Sequence, residues 1–363
     1  MPQPKYAAIV ATLRAELASR AAGERFLSEH QVALRFGVSR PTAARALSEL
    51  VLDGLVERRV GSGTYVRGPA DAGPARTFGL LLSGLGTTEV WDPLAAWLTR
   101  VCSSRGISVR MGWQVAPLDD AVTTVAQAKD LVAQGVDGVL FSPLEIVPDR
   151  ERENIAIARL FTDAGIPVTL LDRDVLDFPA RSEYDVVGID NVGAAAEIGR
   201  HVAETGRTRP RFFSRPHYPS TTDLRVAGCA IALARAGVDV PRDWHVTGDP
   251  SDPACVEHLL EQHRADALVA NNDRTAALLI QTLTRIGRKV PDDVAVLGFD
   301  DVVYSTLLTV ALTTVRQPFD AIARTAVRVL LNRIEDRDAP PTTTTLPGTL
   351  IVRESSAPPA ART

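Results

Sequence analysis

Apolar side chains at Tyr6, Ile9, Val10, Leu13 and Leu17 recur at the i, i+3, i+4, i+7 spacing of an amphipathic helix. A second, shorter helix is predicted over Ser28–Phe36, with Ser28 as its N-cap and Val32, Ala33 and Phe36 turned inward. Gly37-Val38-Ser39 breaks that period. Ser39 then caps a third helix whose inner face is Ala43, Ala46, Leu47, Leu50 and Val51. Two helices joined by a three-residue turn that opens on glycine form a helix-turn-helix. Beyond Gly54 the period shortens to that of strands, Leu55–Val60 and Thr64–Arg67, around Gly61-Ser62-Gly63, where glycine allows the positive φ of a tight hairpin. Three helices and a hairpin with an arginine-bearing tip make a winged helix over residues 1–67. Such a unit sets one helix in the DNA major groove and the hairpin against the neighbouring groove or phosphates.

Residues 68–76 lose all periodicity, are rich in Pro, Gly and Ala, and read as an interdomain linker. From 77 to 353 short apolar runs alternate with helical patterns. Strands are predicted at Phe78–Leu82, Ile107–Met111, Gly138–Phe141, Val168–Leu171, Val186–Ile189, Arg211–Ser214, Trp244–Thr247, Ala267–Ala270 and Val294–Gly298. Helices fall between them at Pro93–Ser104, Ala121–Gln134, Asn154–Ala164, Val192–Thr205, Asp223–Ala236, Asp252–His263 and Asp273–Ile286. This alternation is the α/β pattern of parallel sheets covered on both faces. Nine strands divide into two doubly wound lobes, each offering the carboxyl ends of its strands to a ligand. The tail 354–363, rich in Pro, Ala and Ser, is expected to be disordered.

Charge sharpens the division. Residues 1–68 carry ten basic against six acidic side chains, net +4, leaving 30 against 38, net −8, on the rest. A basic head on an acidic body fits a head that meets a polyanion. The uncharged stretch Val302–Val315 is too short and too rich in serine and threonine to cross a bilayer. The N-terminus shows no apolar secretory core, and Cys102, Cys229 and Cys255 are an odd, scattered set; together these point to a reduced cytoplasmic setting.

The run Phe36–Thr42, then Arg45-Ala46-Leu47, Gly54–Arg58 and Gly61–Val66 resembles the GntR family of bacterial regulators across the whole head. The resemblance implies that Ser39, Arg40 and Thr42 open the recognition helix on DNA, while Gly61 and Gly63 approach the minor groove. Arg45, Arg58 and Arg59 join the DNA-facing candidates. Ala44 and His30 stand where the family often carries arginine, so His30 is a candidate by position and the operator sequence does not transfer.

In the body, Asp172-Arg173, Asn271-Asn272-Asp273 and Asp300-Asp301 follow predicted strands, Arg225 opens an Arg-x-x-Gly pattern with Gly228, and Gln317 closes Leu312–Pro318. Planar acids, amides and arginines hold the paired hydroxyls of sugars, and an aromatic face covers the apolar side of a sugar ring. Val290–Asp301 and Leu312–Pro318 are similar to the LacI/GalR family and the related type I periplasmic sugar-binding proteins, over roughly residues 77–353. That similarity implies a two-lobed fold of periplasmic-binding-protein type and ligand contacts from Asp172, Arg173, Arg225, Asn272, Asp300 and Gln317. Glu89 and Trp91 are added because they follow the first strand, where the sequence departs from the family.

The sequence shows no dinucleotide fingerprint, Walker loop, nucleophile elbow or paired metal motif, so no catalytic residue, cofactor or metal is assigned. The expectation is a ligand-responsive regulator, a repressor by resemblance, that binds operator DNA as a homodimer and senses a sugar between its lobes. Two alternatives differ in class. A solute-binding protein would need export and has no use for the head. A sugar-active or cofactor enzyme would need a placed lysine, which neither Lys129 nor Lys289 supplies.

Overall fold

The computed structural model describes residues 5–17, 19–52, 54–59, 62–66, 75–84, 89–112 and 120–356. In the head, helices α1 (Lys5–Leu17), α2 (Glu29–Phe36) and α3 (Arg40–Leu52) close over Ile9, Leu13, Val32, Ala46, Leu47 and Leu50. Strands β1 (Arg25–Phe26), β2 (Val56–Arg59) and β3 (Gly63–Val66) form an antiparallel sheet in the order β1-β3-β2. Ser28 caps α2 reciprocally: its Oγ accepts from the Gln31 N–H at 3.3 Å, and its own N–H donates to Gln31 Oε1 at 2.8 Å. Gly37, left-handed at φ 60°, ends α2 and turns the chain into α3.

The first lobe runs β4 (Thr77–Leu82), α4 (Trp91–Ser104), β5 (Ser108–Met111), α5 (Ala121–Ala133), β6 (Gly138–Ser142), α6 (Arg150–Asp163), β7 (Val168–Leu171) and β8 (Asp185–Ile189). The second runs α7 (Asn191–Glu204), β9 (Pro210–Ser214), α8 (Thr221–Arg235), β10 (His245–Thr247), α9 (Pro253–Glu261), β11 (Ala267–Ala270), α10 (Asp273–Arg285) and β12 (Ala295–Leu297). All nine sequence-predicted strands overlap observed ones.

Four elements that periodicity left unassigned complete the body: β13 (Thr314–Arg316), α11 (Phe319–Glu335), β14 (Thr343–Leu346) and β15 (Thr349–Ile351). The first sheet is parallel throughout, ordered β14-β8-β7-β6-β4-β5, and the second is parallel with order β10-β9-β11-β12. Both faces of each sheet are buried, which is why their strands read as continuous apolar runs.

The chain passes between lobes three times: from β8 into α7, from β13 into α11, and from β14 into β15, which pairs antiparallel with β13. In each sheet the strand order reverses beside the first strand, between β4 and β6 and between β9 and β11. Loops leaving the carboxyl ends on either side of such a reversal diverge to opposite faces and open a crevice.

One expectation changes. Glu354–Ser356 are not disordered: they form a 3-10 turn with Ser355 and Ser356 buried, Ser355 Oγ donating to the Val296 carbonyl at 2.6 Å and accepting from the Thr313 N–H at 2.8 Å. Buried serines with backbone partners overrule a composition that reads as a solvated tail. Residues 357–363 lie outside the described residues, as does the expected linker apart from Ala75 and Arg76.

Candidate ligand cleft and DNA-facing surface

The crevices of the two lobes face each other and line one cleft open to solvent. From the first lobe come Glu89, Trp91, Glu145 and Asp172, all beyond carboxyl ends of β4, β6 and β7. From the second come Arg215, Arg225, Asn271, Asn272, Arg274 and Asp300, beyond β9, β11 and β12 or on α8; Gln317 enters from the crossing into α11.

Asp300 and Arg225 anchor the centre. Arg225 is 7% exposed, donates through Nε to Asn191 Oδ1 at 2.8 Å and through Nη1 to the Asn271 carbonyl at 2.7 Å, and lies over the Phe299 ring at 3.7 Å. Its Nη1 stands 3.9 Å from Asp300 Oδ1, which accepts from Gln317 Nε2 at 2.7 Å. Burial pushes the Asp300 carboxyl up to about 7, against the opposing pull of Arg225 and the Gln317 hydrogen bond; Asp172 and Glu145 add to the rise. Next to it, fully buried Asp273 is also raised by desolvation and by Asp300, while it accepts from Thr314 Oγ1 at 2.5 Å and the Val302 N–H at 3.0 Å.

Asp172, His217 and Asp300 hold positive φ values of 70°, 56° and 121°. Non-glycine residues in that region cost on the order of 1–3 kcal/mol each, and such outliers cluster at ligand sites. Across the cleft, burial raises the Tyr304 phenol, and the charge of Glu89 from the opposite lobe is its second cause.

Seven of the eight sequence-derived cleft residues line this one space; Arg173 does not. Its buried guanidinium pairs with Glu145 and, at 2.8 Å, with Asp172 Oδ2, and it borders a small neighbouring cavity with Arg150, Asn154 and Asp177. The strand end brings it to the site, but two carboxylates draw the charge behind the wall. Glu145, Arg215, His217, Tyr218, Arg274 and Tyr304 also line the cleft, and no sequence motif singled them out.

On the head, Ser39, Arg40 and Arg45 are exposed along the start of α3 and Thr42 is half-buried. Ser39 Oγ and Thr42 Oγ1 share a 2.9 Å hydrogen bond. The wing touches the helix: Arg58 Nη2 donates to the Ala44 carbonyl at 3.4 Å and pairs with Glu29 at 2.9 Å. Arg59 pairs with Glu57 at 2.6 Å and covers Tyr65 at 4.6 Å. Gly63 has φ 123° and faces Arg25; His30 is exposed on α2; Gly61 lies outside the described residues. The arrangement presents hydroxyls, guanidiniums and a helix N-terminus on one exposed side of the head, the groups that engage phosphates and base edges.

Residues 5–66 match the model of bacterial regulatory proteins of the gntR family, and residues 200–356 match that of a periplasmic binding protein-like domain. The ribose operon repressor of Escherichia coli (strain K12) is 27% identical over 263 residues, 71% of this chain and 75% of that protein. The HTH-type transcriptional regulator CelR of Thermobifida fusca is 30% identical over 229 residues, 62% of this chain and 65% of its own. A solved complex of a transcriptional regulator CelR with cellobiose has the same fold, with a TM-score of 0.65 at 24% identity over 97% of this chain and 98% of that one.

Proposed function

We propose, from a chain that joins a GntR-family winged helix to a LacI-type periplasmic-binding-protein-like body, that it is a ligand-responsive transcriptional repressor whose effector is a sugar. The observation that carries the reading is the interlobe cleft, where Asp300 is hydrogen-bonded by Gln317 and faces the Arg225 guanidinium, a planar polar centre of the kind that orders vicinal hydroxyls. A relative named for a ribose operon supports the sugar class, and the exposed start of α3 supplies the DNA contacts. The protein works without catalysis, in the cytoplasm, as a homodimer. Two heads of a dimer meet successive major grooves about 34–36 Å apart on a pseudo-palindromic operator.

Sugar bound between the lobes favours their closed arrangement and, through the three crossings, shifts the heads. A coupling of about 1–3 kcal/mol, roughly 5- to 150-fold in operator affinity, is usual for such linkage. The test is fluorescence anisotropy of the full chain on the promoter region of its own gene, with and without pentoses and hexoses. Release of DNA by one sugar is expected. Identical binding curves across the panel, or Asp300→Ala responding like the unaltered chain, would defeat the reading.

A further inference from the structure

The cleft's charges are segregated by lobe. Glu89, Glu145 and Asp172 belong to the first wall and Arg215, Arg225 and Arg274 to the second, where Asp300, held by Arg225 and Gln317, is the acid that departs from the pattern. Most are already paired: Glu145 and Asp172 by Arg173, Arg225 by Asn191, the Asn271 carbonyl and Asp300. Among the described residues, the side chains of Arg215 and Arg274 have neither an ion-pair nor a hydrogen-bond partner. Arg215 follows β9 and Arg274 is the second residue of α10, so both flank the strand-order reversal of the second lobe.

The backbone adds to the same sign. Thr221 and Thr222 at the start of 15-residue α8, and Asn272 capping 13-residue α10, all line the cleft, so two helix N-termini face it from the arginine side. Asn271 Oδ1, on a side chain 4% exposed that also lines the cleft, has no donor. An orphan acceptor of this kind calls for a ligand hydroxyl. A neutral sugar would satisfy Asn271, Asp300 and Gln317 and leave half-buried Arg215 and exposed Arg274 matched by water alone.

We propose that the effector is a hydroxylated carbon chain bearing an anionic group, a sugar phosphate or a sugar acid, with its anion held by Arg215 and Arg274 against the second lobe. This rests on the sugar-sensing reading above and narrows it. The anion lies away from Glu89, whose charge would repel it, so the ligand has one orientation. An anion also draws the arginine wall toward a ligand seated on the acidic wall, which favours closure.

The test measures dissociation constants by calorimetry on the full chain for matched pairs: D-ribose and D-ribose 5-phosphate, D-glucose and glucose 6-phosphate, D-glucose and D-gluconate. Charge-assisted bonds to two guanidiniums predict a preference of about tenfold to a hundredfold or more for the charged member of at least one pair. Preference for the phosphate or for the carboxylate identifies which anion it is, and both support the proposal. Arg215→Gln with Arg274→Gln is expected to bring the ratio of charged to neutral affinity close to one. Neutral sugars bound as tightly as their charged partners overturn the anion while leaving the sugar reading intact; no binding by any member overturns both. A charged-to-neutral ratio unaltered in the double variant removes the two arginines and overturns the proposal.

Discussion

Asp300 is an acid kept from water, in a backbone conformation that costs energy, beside a guanidinium that only partly offsets its burial. Its raised value means that the folded chain holds the proton more tightly than the unfolded one, where aspartate titrates near ~3.9. The stability contributed by the neutral acid is therefore complete below that value and is lost as the pH rises through about 7. Asp300→Asn is neutral at every pH, so the melting temperature of the variant, relative to the unaltered chain, is expected to climb between about pH 4 and pH 7 and to level off above that. A difference that stays flat over that range would contradict the assignment. Asp300, Arg225 and Gln317 were legible because each follows a recognisable strand or motif. The position of Arg173 was legible too, but its destination was not: it turns to Glu145, 28 residues away at another strand's end, and local spacing does not encode that partner. Arg215 and Arg274 sit in no motif at all. Only the order of strands in the second sheet brings them to one wall.

Between elements, α7 and α8 pack backbone against backbone. A Cβ on Gly228 would run into the Val192 carbonyl oxygen, and one on Gly199 would fall 2.6 Å from the Cys229 carbonyl oxygen. Backbone rather than flexible side chain meets the added atom, so relief requires the helices to part. Gly228→Ala is expected to destabilise the body by about 1–3 kcal/mol, read as a lower urea midpoint with little change in slope. An unchanged midpoint would mean that the helices separate freely. In the head, Arg40 at the first position of α3 is exposed and able to reach a base edge, so Arg40→Ala is expected to weaken operator binding by about 1–3 kcal/mol. Equal affinity in a titration would remove it from the DNA face. The winged helix could be read from its helical period, and the nine strands of the body because each is a short apolar run set between helical patterns. Helix α11 has buried Ile322, Ala323, Ala326, Val327 and Leu330 at helical spacing, but it follows the end of the alternating pattern, and its strand partner β14 is a threonine run that reads as loop.

At the scale of the whole molecule, the route from cleft to head is short. Gln317 bonds Asp300, α11 begins two residues later, and on it Arg324 meets Glu49 of α3 at 3.7 Å while also pairing with Asp320. Side-chain exposures of 16% and 22% place the Arg324–Glu49 pair between buried and surface, so it is worth roughly 0.2–1 kcal/mol. Glu49→Arg is expected to reduce the sugar-dependent change in operator affinity by up to about fivefold, and Arg324→Glu added to it to restore part of the response. Failure of the second change to restore anything would show that the contact transmits nothing. The three crossings carry one more consequence, for fragments of the gene. Neither lobe is a single stretch of chain: the first borrows α11 and β14 from beyond residue 318, and the second is stapled by Ser355. The head, with its own core, is one uninterrupted segment. A stop codon shortly after residue 66 would release a small operator reader deaf to any metabolite, whereas one placed at residue 318 would leave two half-built lobes for the proteases.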